Sequence, residues 1–202
     1  TGNSWPTSLS ITNTGPISDR AVVTFTFTVT MPDPPVSLED TAIVRATSVT
    51  SPTLYTDTAT FHTLGCLVRL NDEPTYYPSI QAAVDAATHP TDVVKVAGYC
   101  TGINTYGSKK QVVYINKTLT IRGGYTFTNW TTPDPVAHPT TVDAQGQGRV
   151  FYITGNITPT IEGLRVTGGD ATGLGGYGSN DAGGGIYVVT ASDAQALYRR
   201  GD

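Results

Sequence analysis

Residues 22–30 read Val-Val-Thr-Phe-Thr-Phe-Thr-Val-Thr. Val23, Phe25, Phe27 and Val29 fall on one side of an extended chain, and Thr24, Thr26, Thr28 and Thr30 on the other. Strict period-two alternation predicts a strand with one apolar face. Met31-Pro32-Asp33-Pro34-Pro35 ends it, because proline cannot continue a ladder. Weaker versions of the pattern predict strands over 8–12, 41–49 and 54–63, the last with Thr56, Thr58 and Thr60 on one face. Asn13-Thr14-Gly15-Pro16 is a turn signal.

From Cys66 the pattern changes. Between Pro78 and Thr88, Ile80, Ala83, Val84 and Ala87 sit at i, i+3, i+4 and i+7, which predicts a helix with one apolar stripe. Pro78 and Ser79 suit its start, and His89-Pro90 stops it. A short strand is predicted over 92–96, ending at Ala97-Gly98. Repeated short strands follow. Gln111-Val-Val-Tyr-Ile115 matches Arg149-Val-Phe-Tyr-Ile153 and, more loosely, Gly185-Ile-Tyr-Val-Val189, with starts 38 and 36 residues apart. Leu119-Thr-Ile-Arg-Gly-Gly124 resembles the stretch from Ile161 to Gly169 that also ends in Gly-Gly. Periods of this size signal a solenoid.

The chain therefore divides into 1–64 and 65–202. Composition sharpens the picture. Of 202 residues 35 are threonine and only 14% are charged, which fits an all-β, secreted-type protein and excludes a helical bundle or coiled coil. No apolar run is long enough to span a membrane as a helix, so no membrane insertion is expected. The net charge is −4 and the basic residues are scattered, so nucleic-acid binding lacks its electrostatic footprint. The first residues do not read as a signal peptide, so an exported form would be a processed chain or a fragment. Cys66 and Cys100 are the two cysteines. They are either a disulfide, stabilising by about 4 kcal/mol through loop closure, or two buried thiols. The extracellular type of composition favours the disulfide.

The strand "TFTFTVTMP", followed by "DTAIVRATS" and "TDTATFHT", resembles the Ig-like repeat domains of bacterial surface proteins over about residues 5–64. Such a sandwich needs about seven strands and four are found, so the resemblance implies a partial sandwich. The run "YPSIQAAVDAA…DVVKVAGYCTG…INKTLTIRGGY…TTVDAQGQGRVFYI…IEGLRVTGGD…GGGIYV" resembles the start of a right-handed parallel β-helix of the pectate-lyase-like superfamily over about residues 66–190. That likeness implies an N-terminal capping α-helix followed by a short stack of coils. The superfamily contains lyases, hydrolases, adhesins and structural surface proteins, so the fold leaves function open. The hydrolase motifs Asn-Thr-Asp, Asp-Asp and Gly-His-Gly do not occur. A lyase-like basic residue beside carboxylates would have to come from Asp143, Arg149, Glu162, Arg165, Asp170 and Asp181, whose alternative reading is as solvent-facing rungs and turns.

Other signals are local. Gly173-Leu-Gly-Gly-Tyr-Gly178 fits G-x-G-x-x-G in letters, but no helix follows. The glycine-rich stretch 168–185 offers Asp170 and Asp181 as a calcium site, or is a long loop between coils. Its calcium would be the one cofactor; His62, His89 and His138 lack metal-ligand spacing. Arg200-Gly201-Asp202 spells a cell-attachment tripeptide, and Asn116, Asn129 and Asn156 open glycosylation sequons. Tyr76, Tyr77, Tyr99, Tyr106, Tyr125, Trp130 and Tyr177 fall in loops or strand ends. Tyr106, Tyr125, Trp130 and Tyr177 are candidate sugar-stacking rings, unless the aromatics only cover a solenoid flank.

A sandwich short of strands and a last coil with a small cap leave two unlike adhesive surfaces, and head-to-tail contacts between unlike surfaces build open polymers. The expectation is an extracellular or cell-surface structural protein, more in keeping with a non-enzyme, that polymerises with itself into a filament or layer. The alternatives are an adhesin or glycan-binding module with a polysaccharide partner, and a fragment of a polysaccharide lyase or hydrolase.

Overall fold

A computed structural model describes residues 4–18, 21–32, 38–52, 56–176 and 181–189, and the backbone of 197–199. The chain is mostly β and divides into two compact units, Thr1–Leu64 and Gly65–Asp202.

In the first unit β1 (Thr7–Leu9) pairs antiparallel with β2 (Phe27–Val29), and β3 (Glu39–Thr47) with β4 (Thr56–Leu64). The alternation over 22–30 becomes only three residues of strand. A strand requires a partner for its N–H and C=O groups. β1 stops at Leu9, and beyond it a single backbone bond, Ser10 N–H to the Thr26 carbonyl, continues the pairing. Residues 11–15 then turn away, with the Asn13 side chain accepting from Gly15 N–H. The β3–β4 hairpin runs nine pairs in register, from Glu39 opposite Leu64 to Thr47 opposite Thr56. Ala42, Val44, Ala59 and Phe61 share one face, and Phe27 packs on Phe61 with ring centroids 5.0 Å apart. Asp40 accepts from the backbone N–H groups of Ser4 and Trp5, which fixes the buried Trp5.

The second unit opens with β5 (Cys66–Leu70) and α1 (Ile80–Ala86). The helix is shorter than the predicted 78–88. Ser79 is its N-cap, its hydroxyl accepting from Ala82 N–H at 3.1 Å, and the helix gives way at Ala87 to extended backbone. Ile80, Ala83 and Val84 are buried in the core, as the stripe requires. The strands that follow are β6 (Val93–Cys100), β7 (Asn104–Tyr106), β8 (Lys109–Ile115), β9 (Thr120–Arg122), β10 (Thr140–Asp143), β11 (Arg149–Thr154), β12 (Thr160–Glu162), β13 (Leu164–Thr167), β14 (Ile186–Val189) and β15 (Leu197–Arg199).

Their pairing is parallel and cyclic. β8, β11 and β14 form one row, β6, β9, β12 and β15 a second, and β6, β10 and β13 a third. From β8 onward the chain visits the three rows in turn. β6 serves two rows because Gly98, at φ +88°, bends it: Val93–Lys95 pair with β9, while Tyr99 and Cys100 pair with β10. The strand thus continues beyond the predicted end at Gly98. Antiparallel β5 lies on β6, and antiparallel β7 on β8.

The inward side chains stack into one apolar core. Val94, Ile121 and Ile161 follow one another on successive strands, as do Val113, Phe151 and Ile186. Gln111 lies opposite Arg149, as the repeat predicts, but β14 is shifted by one: Tyr152 pairs with Tyr187 rather than with Val188. The two Gly-Gly stretches also separate. Thr120–Arg122 stack on Thr160–Glu162, whereas Leu164–Thr167 stack on Thr140–Asp143. The second row passes to the third through Gly163 alone in one turn, and through residues 123–139 in the turn before. At that corner Gly123 meets Gly163 so closely that a Cβ on Gly123 would lie 2.3 Å from the Gly163 carbonyl oxygen.

Candidate functional site

Cys66 and Cys100 are joined in a disulfide. It ties the start of β5 to the end of β6.

Residues 168–176 and 181–185 include the predicted calcium carboxylates, and both are engaged by the chain itself. Asp170 accepts from the N–H and hydroxyl of Thr172, at 2.8 and 2.6 Å. The Thr172 hydroxyl first, and its N–H second, hold the Asp170 carboxyl below its usual range. Asp181 accepts from Gly173 N–H and Gly175 N–H, at 2.8 and 2.9 Å. These carboxylates act as turn anchors, and no group of three metal-ligating side chains occurs among the described residues. Asp170 and Asp181 thus serve as acceptors within their own segment.

Arg149 completes the arrangement. It has no solvent exposure, its guanidinium donates to the carbonyls of Gly175 and Ala182, and it lies 4.4 Å over the Tyr187 ring. A buried cation satisfied by carbonyl oxygens and a ring face is a clamp for this segment. Its guanidinium nitrogens face the backbone of that segment rather than solvent.

The other polar candidates separate into two clusters. Asp143 accepts a short hydrogen bond from the Tyr99 hydroxyl and a second from Gln145 N–H. The bond to Asp143, then burial, then the Asp143 charge raise the Tyr99 hydroxyl above its ordinary range. Arg165 is exposed and lies in register with Thr141 and Tyr99, so Asp143 and Arg165 are on neighbouring strands. Glu162 is instead paired with Arg122 across β9 and β12.

The aromatic candidates divide as well. Tyr125 and Trp130 are buried, with ring centroids 5.7 Å apart, so neither presents a free face to a sugar. They are corrected to core-covering residues of segment 123–139. Lys95 reaches out to that segment through the Trp130 carbonyl at 2.7 Å and pairs with Asp72 at 2.6 Å. Arg69 lies over the Trp130 and Tyr76 rings. Tyr106 is 47% exposed and begins a stack that continues through Tyr114, Tyr152 and Tyr187, with centroids 4.3, 5.6 and 5.6 Å apart. Burial first, then the neighbouring phenols, raise the Tyr152 hydroxyl above its usual range. Tyr177 lies outside the described residues, as does the Arg200-Gly201-Asp202 tripeptide.

One important residue had no legible signal. Gln81 faces the edge of β8, where its side-chain oxygen accepts from Tyr114 N–H at 2.6 Å and its amide nitrogen donates to the Tyr114 carbonyl at 3.2 Å. It satisfies both backbone groups of Tyr114, as a neighbouring strand would.

The two units also differ in surface. Thirteen large apolar side chains are exposed among the described residues, and ten of them lie between Leu9 and Leu64. Among the described residues of the first unit, Trp5 and Ala42 are the only buried apolar ones. No helix among the described residues is long and apolar enough to cross a membrane. No protein-family model, curated protein or solved structure matches the chain.

Proposed function

We propose that this chain is a secreted, non-enzymatic structural protein that assembles with itself at or outside the cell surface. In this reading residues 1–64 are a partial Ig-like sandwich that takes up strands from a second copy, and residues 65–202 are a short right-handed parallel β-helix capped by α1. The observation that carries it is the apolar exposure of the first unit. Beside two separate two-stranded sheets, Phe25, Ile43, Phe61 and Leu64 are 40–51% exposed. Exposed apolar side chains beside strand edges that lack a partner among the described residues are the ordinary setting of strand addition. A second route to assembly is the outer edge of β14, which no strand pairs among the described residues. The three cyclic parallel rows support the solenoid reading of the second unit.

Electron microscopy of the purified chain tests this. Filaments or sheets are expected, and they should be lost in Ile43→Lys, a change on the outer hairpin surface that leaves Trp5 and Ala42 in place. Particles of monomer size at every concentration would overturn the proposal. Glycan binding is favoured by one feature, the half-exposed Tyr106 ring at the end of the tyrosine stack. It predicts retention on a polysaccharide column that Tyr106→Ala abolishes.

A further inference from the structure

The tyrosine stack contains one pair unlike the others. Tyr106 and Tyr114 have ring centroids 4.3 Å apart and planes inclined by only 1°. The next steps along the stack, Tyr114 to Tyr152 and Tyr152 to Tyr187, are 5.6 Å with planes at 12° and 50°. Parallel rings at 4.3 Å are in van der Waals contact over their faces, so radicals formed on the two rings are held side by side. Tyr106 is also open to solvent at 47%, whereas Tyr152 is 8% exposed. The usual competing sinks for an oxidant are thiols and thioethers. Here both cysteines are in the disulfide, and Met31 is the one methionine of the chain.

We propose that Tyr106 and Tyr114 form an intramolecular dityrosine cross-link when the protein meets hydrogen peroxide and a haem peroxidase. The peroxidase removes one electron and one proton from each phenol, giving two phenoxyl radicals, and hydrogen peroxide is reduced to two waters. The radicals couple through one ortho carbon of each ring. Each coupled carbon then loses its hydrogen as the phenols are restored. The sum is two tyrosines and one hydrogen peroxide giving one dityrosine and two waters. The product fastens β7, a three-residue strand with no partner but β8 among the described residues, to the sheet beneath it. It would serve an extracellular protein exposed to oxidants, although it depends on neither assembly nor glycan binding.

Lys109 and Lys110 separate the two tyrosines, so trypsin places them on different peptides. The experiment treats the full chain with horseradish-type peroxidase and hydrogen peroxide, reduces the disulfide, digests with trypsin, and maps linked peptides by mass spectrometry. Expected is a linked pair holding Tyr106 and Tyr114, lighter by two hydrogens than the sum of its parts. Its yield should not change with protein concentration. Tyr106→Phe should reduce this product and its share of dityrosine fluorescence to background, while Tyr152→Phe leaves it unchanged. Treatment in 8 M urea should lower the yield strongly, since the ring contact is lost. Cross-links found only between molecules, or a Tyr106–Tyr114 yield that urea leaves intact, would overturn the proposal.

Discussion

The disulfide ties together two strands whose pairing closes the first turn of the second unit, so its removal has a calculable cost. Cys66 and Cys100 are 34 residues apart. In the chain-entropy treatment the denatured ensemble loses about 2.1 + 1.5R ln 34, or about 12.6 cal/mol/K, which is about 3.8 kcal/mol at 25 °C. β5 pairs with β6 and buries Leu67, Val68 and Leu70, so losing the link also weakens the docking of those side chains. The assay is urea unfolding of the full chain with Cys66→Ala and Cys100→Ala together, in a Trp5→Phe background so that the remaining Trp130 reports on the second unit. With a slope of about 2 kcal/mol/M, the midpoint should fall by about 2 M. Reducing the unsubstituted cysteines with a phosphine should reproduce the fall. A decrease below about 0.5 M, equivalent to about 1 kcal/mol at that slope, would refute the reasoning.

Three further outcomes follow from named contacts. Arg149→Met should destabilise by about 1.5–3 kcal/mol, because the carbonyls of Gly175 and Ala182 lose their charged donor, and chymotrypsin should then cut at Leu174; Arg149→Lys should recover only part, lacking the planar fork. Gly123→Ala should cost about 1–3 kcal/mol by overpacking against the Gly163 backbone, measured by thermal unfolding. The Asn71 amide first, then the His89 and Thr88 N–H groups, hold the buried Asp92 carboxyl below its usual range. Its folded value being depressed, the stabilisation is complete above the unfolded value of about 4 and is lost as pH falls through the folded one. The urea midpoint should therefore drop on acidification below about pH 4, and Asp92→Asn should flatten that drop; parallel pH profiles would contradict it.

Apolar periodicity made much of the second unit legible. Gln111–Ile115 and Arg149–Ile153 stack in the predicted register because each alternates inward Val, Phe or Ile with outward Tyr, and parallel rows require that match. The third repeat slipped by one because Gly185 belongs to the loop and the Tyr-on-Tyr match sets the register. The alternation over 22–30 promised more strand than β1 can partner. Residues whose roles depend on contacts 33 or 44 positions away, such as Gln81 on Tyr114 and Tyr99 on Asp143, leave no trace in local spacing. Arg149 is one of six charged candidates in the sequence, and whether such a charge faces substrate or the backbone of its own loop is decided by burial.

Sedimentation velocity of these 202 residues over a wide concentration range tests self-assembly most directly. Species beyond the monomer are expected, with a share that rises with concentration and falls in Ile43→Lys. A single monomer boundary at every concentration, unchanged in that variant, would contradict it.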